Sequence, residues 1–211
     1  MELDPDELPS LYRTLAGAVV PRPIAWVSTT TPDGVDNLAP YSFFNVVSVA
    51  PPVVMFAPVN DDDAPGGLKD TPRNVRETEE FVVNGVTEPL AEAMNATSAT
   101  LPAGESEFDH AGLERADSRT VTPPRVAETA VAFECSLYEM IPVGDSTMVL
   151  GEVEWVHVAD EVTTDGKLDT TNLDAVGRLS GSRYTTIDDQ FAMASASVMV
   201  TAAAPSRTGR R

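Results

Sequence analysis

Apolar and polar positions alternate most regularly late in the chain. Over residues 131–137, Val131, Phe133, Cys135 and Leu137 take turns with Ala132, Glu134 and Ser136. Over residues 147–158, Val149, Val153 and Trp155 take turns with Glu152 and Glu154. A period of two sends such side chains to opposite faces, so each segment reads as a strand with one dry face. Residues 18–30 also read as a strand, with Pro21 and Pro23 confined to its beginning, where a missing N–H is tolerated. Asp33-Gly34 suits a tight hairpin because glycine accepts positive φ, and residues 35–42 then return antiparallel. Residues 53–57, after Pro51-Pro52, form a short buried third strand, and residues 81–86 another.

Helical spacing is confined to insertions between these strands. Thr71-Pro72 opens a helix, threonine as N-cap and proline at the first helical position, and its polar run to Glu80 places it on the surface. Leu90, Ala91, Ala93 and Met94 predict a second helix over 88–98. Residues 100–129, rich in charge, Gly and Pro, read as a long ordered excursion. Asp165-Gly166 marks another turn, and residues 173–179 a short helix before Gly181. From about Phe191 the chain is Ala- and Ser-rich and ends in Arg207, Arg210 and Arg211. The expected organisation is one domain over 1–190 and a partly disordered extension over 191–211. Strands of similar length with helices inserted, rather than alternating with them, predict a mainly β, α+β fold: an antiparallel β-barrel with helical additions. A closed or nearly closed barrel also removes exposed edges.

Composition narrows the class. A chain of 211 residues supports one domain with a sizeable core, and no apolar stretch approaches the length of a membrane span. Residues 1–9 are acidic and lack the basic and apolar regions of a signal peptide, so a cytoplasmic location is expected and the Asn95 sequon has little meaning. The single cysteine, Cys135, forms no intrachain disulfide, and with only His110 and His157 beside it there is no zinc set. Charge is the unusual feature: 33 acidic against 14 basic residues give −19, and only Lys69 and Lys167 are lysines. Such a surface repels itself in dilute buffer and is tolerated where the Debye length is about 3 Å, at 1 M salt. The composition fits a halophilic protein, with an acidic mesophilic one as the alternative. Neither offers nucleic acid a basic face.

The usual enzyme signatures are missing: no G-x-G-x-x-G after a strand, no P-loop, no H-E-x-x-H, no G-x-S-x-G. Asp61, Asp62 and Asp63 read as solvated surface in so acidic a chain. What stands out is an ordered series: Pro21-Arg22-Pro23-Ile24-Ala25-Trp26-Val27-Ser28-Thr29, Asn37-Leu38-Ala39-Pro40-Tyr41-Ser42-Phe43-Phe44-Asn45, and Ser48-Val49-Ala50-Pro51-Pro52. It continues in Lys69-Asp70-Thr71 with Arg73-Asn74, Glu80-Phe81-Val82-Val83-Asn84, Pro123-Pro124-Arg125-Val126, and Gly177-Arg178-Leu179 through Tyr184. The series spans most of residues 12–187 and resembles the flavin reductase-like, FMN-binding split-barrel family. The resemblance implies a homodimer of split barrels with FMN near the subunit interface. It also implies NAD(P)H as electron donor and a second acceptor, such as a monooxygenase or other electron-acceptor protein.

FMN presents a flat apolar ring with a polar edge, a hydroxylated ribityl chain and a charged phosphate, each needing a different surface. The segment 38–45 mixes hydroxyls, an amide and aromatics suited to the ring edge and ribityl group. The resemblance places Tyr41, Ser42 and Asn45 there and Ser28 close to the ring. Lys69 supplies charge and Thr71 a hydroxyl at a helix N-terminus, where free N–H groups and the helix dipole favour an anion, and Ser48 adds a donor. The plain alternative is a solvated lysine beside a structural cap. Arg22 suits the phosphate or nearby carboxylates equally. Tyr184, with Arg183, borders the flavin pocket or locks the final strand. Trp26 and Trp155 read as core, His157 as a satisfied core or interface histidine, and Cys135 as inert packing. His110 lies in the excursion, where a nicotinamide or acceptor could pass. No side chain is assigned as catalytic, because the cofactor carries the chemistry. Two functional classes follow: a flavin reductase moving hydride from NADH or NADPH to FMN, and a non-catalytic FMN electron carrier. A barrel holding a deazaflavin or haem is a third.

Overall fold

The computed structural model describes residues 2–102 and 104–193, so most of the expected extension over 191–211 lies outside the described residues. Helix α1 (Tyr12–Ala18) leads into β1 (Ala25–Thr30), β2 (Asp36–Tyr41), β3 (Phe44–Val49) and β4 (Pro52–Phe56). Helix α2 (Asp70–Thr78) precedes β5 (Glu80–Asn84), and α3 (Ala91–Ala96) and α4 (Glu107–Ala111) precede the short pair β6 (Arg115–Ala116) and β7 (Arg125–Val126). The long hairpin β8 (Val131–Val143) and β9 (Ser146–Val158) follows. Two small hairpins come last among the described residues: β10 (Thr163–Thr164) with β11 (Lys167–Leu168), and β12 (Val176–Arg178) with β13 (Tyr184–Thr186).

Seven strands form one antiparallel sheet in the order β2-β1-β5-β8-β9-β4-β3. Its edge strands, β2 and β3, are separated in the chain by only Ser42 and Phe43. Three peptide steps span at most ~11 Å, so the sheet must curl until its two edges meet at one end. No ladder joins those edges among the described residues, which makes the barrel split rather than closed. Inside it lie Ala25, Val27, Val54, Phe56, Val75, Phe81, Val83, Cys135 and Val149. Ile24, Trp26 and Leu38 face the other way, into a second cluster with Met94, Phe108 and Val126. Both faces of β1 are therefore covered, and all six of its residues are buried.

Gly151 on β9 shows how tightly the barrel closes on itself. A Cβ at this position would run into the Phe81 ring and lie 3.0 Å from the Cys135 Cβ. Gly151→Ala is expected to cost about 1–3 kcal/mol, the usual penalty for overpacking, read as a lowered urea midpoint at unchanged slope.

Several expectations are corrected. The strand expected over 18–30 begins only at Ala25, because Ala18 ends helix α1 and Arg22 makes an isolated bridge to Arg178. Helix α1 left no apolar stripe to find, since Tyr12 and Leu15 are exposed and Ala16 alone is buried. Residues 44–49, to which the pattern assigned no strand, form strand β3, in which Val46, Val47 and Val49 are 59%, 50% and 86% exposed. The helix expected over 173–179 is instead the hairpin β12–β13, turned at Gly181 with φ 64°. Thr71 is not the N-cap of α2. Lys69 holds that position, and the buried face Thr71, Pro72, Asn74, Val75 brings the helix onto the barrel. Glu134, expected on a polar strand face, is fully buried beneath residues 118–120. Among the described residues, no helix is long and apolar enough to cross a membrane, and no cluster of metal-ligating side chains occurs.

Candidate functional site

A cavity of about 480 Å³ opens between β2, the N-terminus of α2 and residues 97–101. Its floor is a connected set of buried polar groups. The Glu107 carboxylate accepts from Asn37 Nδ2 (2.9 Å) and from the Leu38 N–H (3.0 Å). Asn37 Oδ1 accepts from the Thr71 hydroxyl (2.7 Å) and the Thr29 hydroxyl (3.3 Å), and Thr29 Oγ1 accepts from Asn74 Nδ2 (3.0 Å). Burial pushes the Glu107 carboxyl above its ordinary pKa, against the lowering effect of the Leu38 N–H and Asn37. Tyr41 lines the same cavity with its ring on Phe56, centroids 5.2 Å apart. Burial pushes the Tyr41 phenol up, so it stays protonated as a donor.

The wall opposite is the start of α2. Its N-cap residue, Lys69, makes no side-chain cap, so the first-turn N–H groups have no side-chain partner and the positive end of the helix dipole faces the cavity rim. Lys69 and Arg73 line this rim, Arg73 paired to Asp70.

A second cavity, of about 650 Å³, lies under α1 and is lined by Tyr12, Arg13, Arg22, Ser42 and Arg178 among others. Tyr41 and Ser42 are neighbours in the chain, one lining each cavity.

The eight residues expected at the site are therefore not brought to one place. Tyr41, Lys69 and Thr71 line the first cavity and Ser42 the second. Ser28 lines neither: it is fully buried, donating to the Pro124 carbonyl (2.5 Å) and accepting from Asn84 Nδ2 (3.3 Å). Asn45 and Ser48 lie on edge strand β3, where Asn45 Oδ1 accepts from the Val46 N–H and Ser48 Oγ from the Ala50 N–H. The Tyr184 hydroxyl donates to Asn95 Oδ1 (3.2 Å) and accepts from Arg178, whose guanidinium lies 4.6 Å above the Tyr184 ring. Arg22 meets no carboxylate: its guanidinium donates to carbonyls at the end of α1. Trp155 is half-buried under the Arg119 guanidinium, 3.9 Å from its ring centroid, and His157 bonds Glu134 at 2.5 Å. Sequence reading missed Glu107 and Asn37. Asn37 opened a quoted motif and was recoverable, whereas Glu107 had no signal among 33 carboxylates.

The sequence model of the flavin reductase like domain matches residues 17–172. The chain belongs to the flavin reductase-like family. An uncharacterized protein of Aquifex aeolicus is 44% identical to this flavin reductase-like chain over 176 residues, 83% of this chain and 89% of that one. The structure of nitrilotriacetate monooxygenase component B from Bacillus cereus superposes with a TM-score of 0.86 at 35% identity, covering 92% of this chain and 98% of that one. A split-barrel structure from Shewanella frigidimarina, 22% identical with a TM-score of 0.79 over 93% of this chain and all of that one, shares the fold. The split barrel is thus the architecture of the family, and a flavin is the ligand class that membership of a flavin reductase-like family implies.

Proposed function

We propose that this flavin reductase-like chain holds FMN in the cavity between β2 and α2, and serves as the reductase that draws electrons from NADH or NADPH. The observation that carries the reading is the start of α2: uncapped amides and one of only two lysines beside a cavity of about 480 Å³, which suits a phosphate. When bound, the flavin accepts hydride from the reduced nicotinamide and hands electrons to an acceptor. The chain's own residues bind and orient. Lys69 and the α2 amides neutralise the phosphate, while Thr71 is fixed by Asn37, and Asn37 in turn by Glu107. The protonated Tyr41 phenol offers a hydrogen-bond donor and no base, consistent with a site whose protein groups position rather than react.

Edge strand β3 supports a homodimer, because Val46, Val47 and Val49 leave an apolar row open to a second copy. Such a pairing brings Asn45 and Ser48, which line neither cavity in one protomer, to an interface. The likeness to a monooxygenase component B favours an oxygenase partner as acceptor.

Anaerobic titration of the FMN-loaded protein with NADH, then NADPH, tests the reading. Bleaching of the oxidised-flavin absorbance within the mixing time to seconds is expected. Retained flavin that neither donor bleaches would replace the reductase with an electron carrier, and failure to retain FMN would remove the site.

A further inference from the structure

The hydrogen bonds under the first cavity have a fixed direction. A carboxylate only accepts, so Asn37 turns its Nδ2 toward Glu107 and its Oδ1 toward Thr29 and Thr71. Both threonines therefore donate to Asn37, and neither has a second proton to give. The Thr71 hydroxyl, expected from its place beside a helix terminus to serve a phosphate, brings only lone pairs to the cavity it lines. Glu107 is 6% exposed and lines the same cavity. The Leu38 N–H and Asn37 Nδ2 both meet its Oε2, which leaves Oε1 without a partner beyond the residue's own backbone. The position is firmly held. Arg115 ties α4 to β2 through Asp36 (2.9 Å), Asp109 (2.8 Å) and Ser106 Oγ (2.9 Å), with its guanidinium 4.8 Å from the ring centroid of the buried Phe108. A buried carboxylate oxygen kept in place without a donor is costly unless a ligand supplies one.

The rim has the opposite polarity, because Lys69 and the uncapped amides of α2 offer donors and positive charge. A phosphate is stabilised at the rim and repelled by the Glu107 carboxylate, whose free oxygen calls for an O–H or N–H donor. Thr71 belongs to both poles, since it stands in the first turn of α2 and is bonded to the floor. The group next to the phosphate along the ligand is therefore the one that meets the floor. We infer that Glu107 Oε1 and Thr71 Oγ accept from the hydroxyls of a phosphorylated polyol chain, which makes Glu107 a specificity-determining residue that orients the ligand with its phosphate at α2. The inference rests on the proposed flavin site, where the ribityl chain of FMN is that polyol.

Fluorescence quenching titrations at pH 8 with three ligands test it: FMN, riboflavin, which lacks the phosphate, and lumiflavin, which keeps only the ring. Glu107→Gln retains one side-chain oxygen for Asn37 and the Leu38 N–H and turns an N–H₂ toward the cavity. The parent is expected to bind riboflavin on the order of tenfold more tightly than lumiflavin, as for one charge-assisted hydrogen bond. In Glu107→Gln most of that preference should be lost, FMN should weaken by the same factor as riboflavin, and lumiflavin affinity and the urea midpoint should stay as in the parent. Thr71→Val, which removes the other oxygen, should shift the same preference in the same direction. Equal losses for all three ligands would make Glu107 a purely structural residue and overturn the inference. So would an unchanged preference in both variants. A parent that binds riboflavin and lumiflavin equally also overturns it, while leaving the flavin site standing. A parent that fails to hold FMN removes the flavin site, and the inference falls with it.

Discussion

Glu134→Gln is expected to lower the unfolding free energy by about 3 kcal/mol at neutral pH. Glu134 is a fully buried carboxylate on β8. Burial alone would raise its pKa. The Thr120 hydroxyl (2.6 Å), the Arg119 N–H (2.7 Å), His157 Nε2 (2.5 Å) and the Thr120 N–H (2.6 Å) override that cost, and the folded value falls from 4.5 to about 2. A depressed carboxylate pKa means that the folded state binds its proton less readily than the unfolded chain. The stabilisation is therefore complete above about pH 4.5 and is lost as pH falls through about 2. Glutamine keeps the size but turns an N–H₂ toward donors, leaving buried groups unpaired. Urea unfolding at pH 7 and again near pH 2.5 should show a large difference between parent and variant that shrinks in acid. An equal difference at both values would mean that packing, not the charge, holds the 118–120 segment onto the sheet.

That segment marks a boundary of what the chain's pattern discloses. The alternation over 131–137 and 147–158 found β8 and β9, because a strand's two faces are written in neighbouring residues. It misplaced Glu134, because the lid over that residue comes from 14 and 15 positions earlier and the register shifts between Glu134 and Cys135. The hairpins at Asp33-Gly34 and Asp165-Gly166 were legible from backbone chemistry alone, and Gly34, Asp165 and Gly166 have φ of 86°, 52° and 72°. Strand β3 was not, since an edge with Val46 and Val47 both exposed has no inward and outward period to read.

The site follows the same division. Residue type placed Thr71 beside the α2 terminus, but its hydroxyl belongs to Asn37, 34 positions away, and no local rule announces that bond. Arg22 stood equally between phosphate and carboxylate on paper. Its actual partners include the Leu179 carbonyl, 157 positions distant, which only the closed fold brings near. Lys69 differs from both, because scarcity singled it out. One lysine kept at a helix terminus in a chain nearly free of lysine is a signal that composition itself carries.

Lys69→Ala is accordingly expected to weaken FMN binding by on the order of 10- to 100-fold, the effect of removing one charge-assisted contact to a phosphate. Lys69 precedes the first turn of α2, makes no cap bond and is exposed, so stability should change by no more than about 0.5 kcal/mol. The comparison that isolates the phosphate is riboflavin, which has the same ring and ribityl chain without it. Fluorescence quenching titrations should show a large loss for FMN and almost none for riboflavin in Lys69→Ala, while Lys69→Arg retains most of the FMN affinity. Equal losses for both ligands would place Lys69 at the ring or in the fold. No loss for either would move the phosphate away from α2.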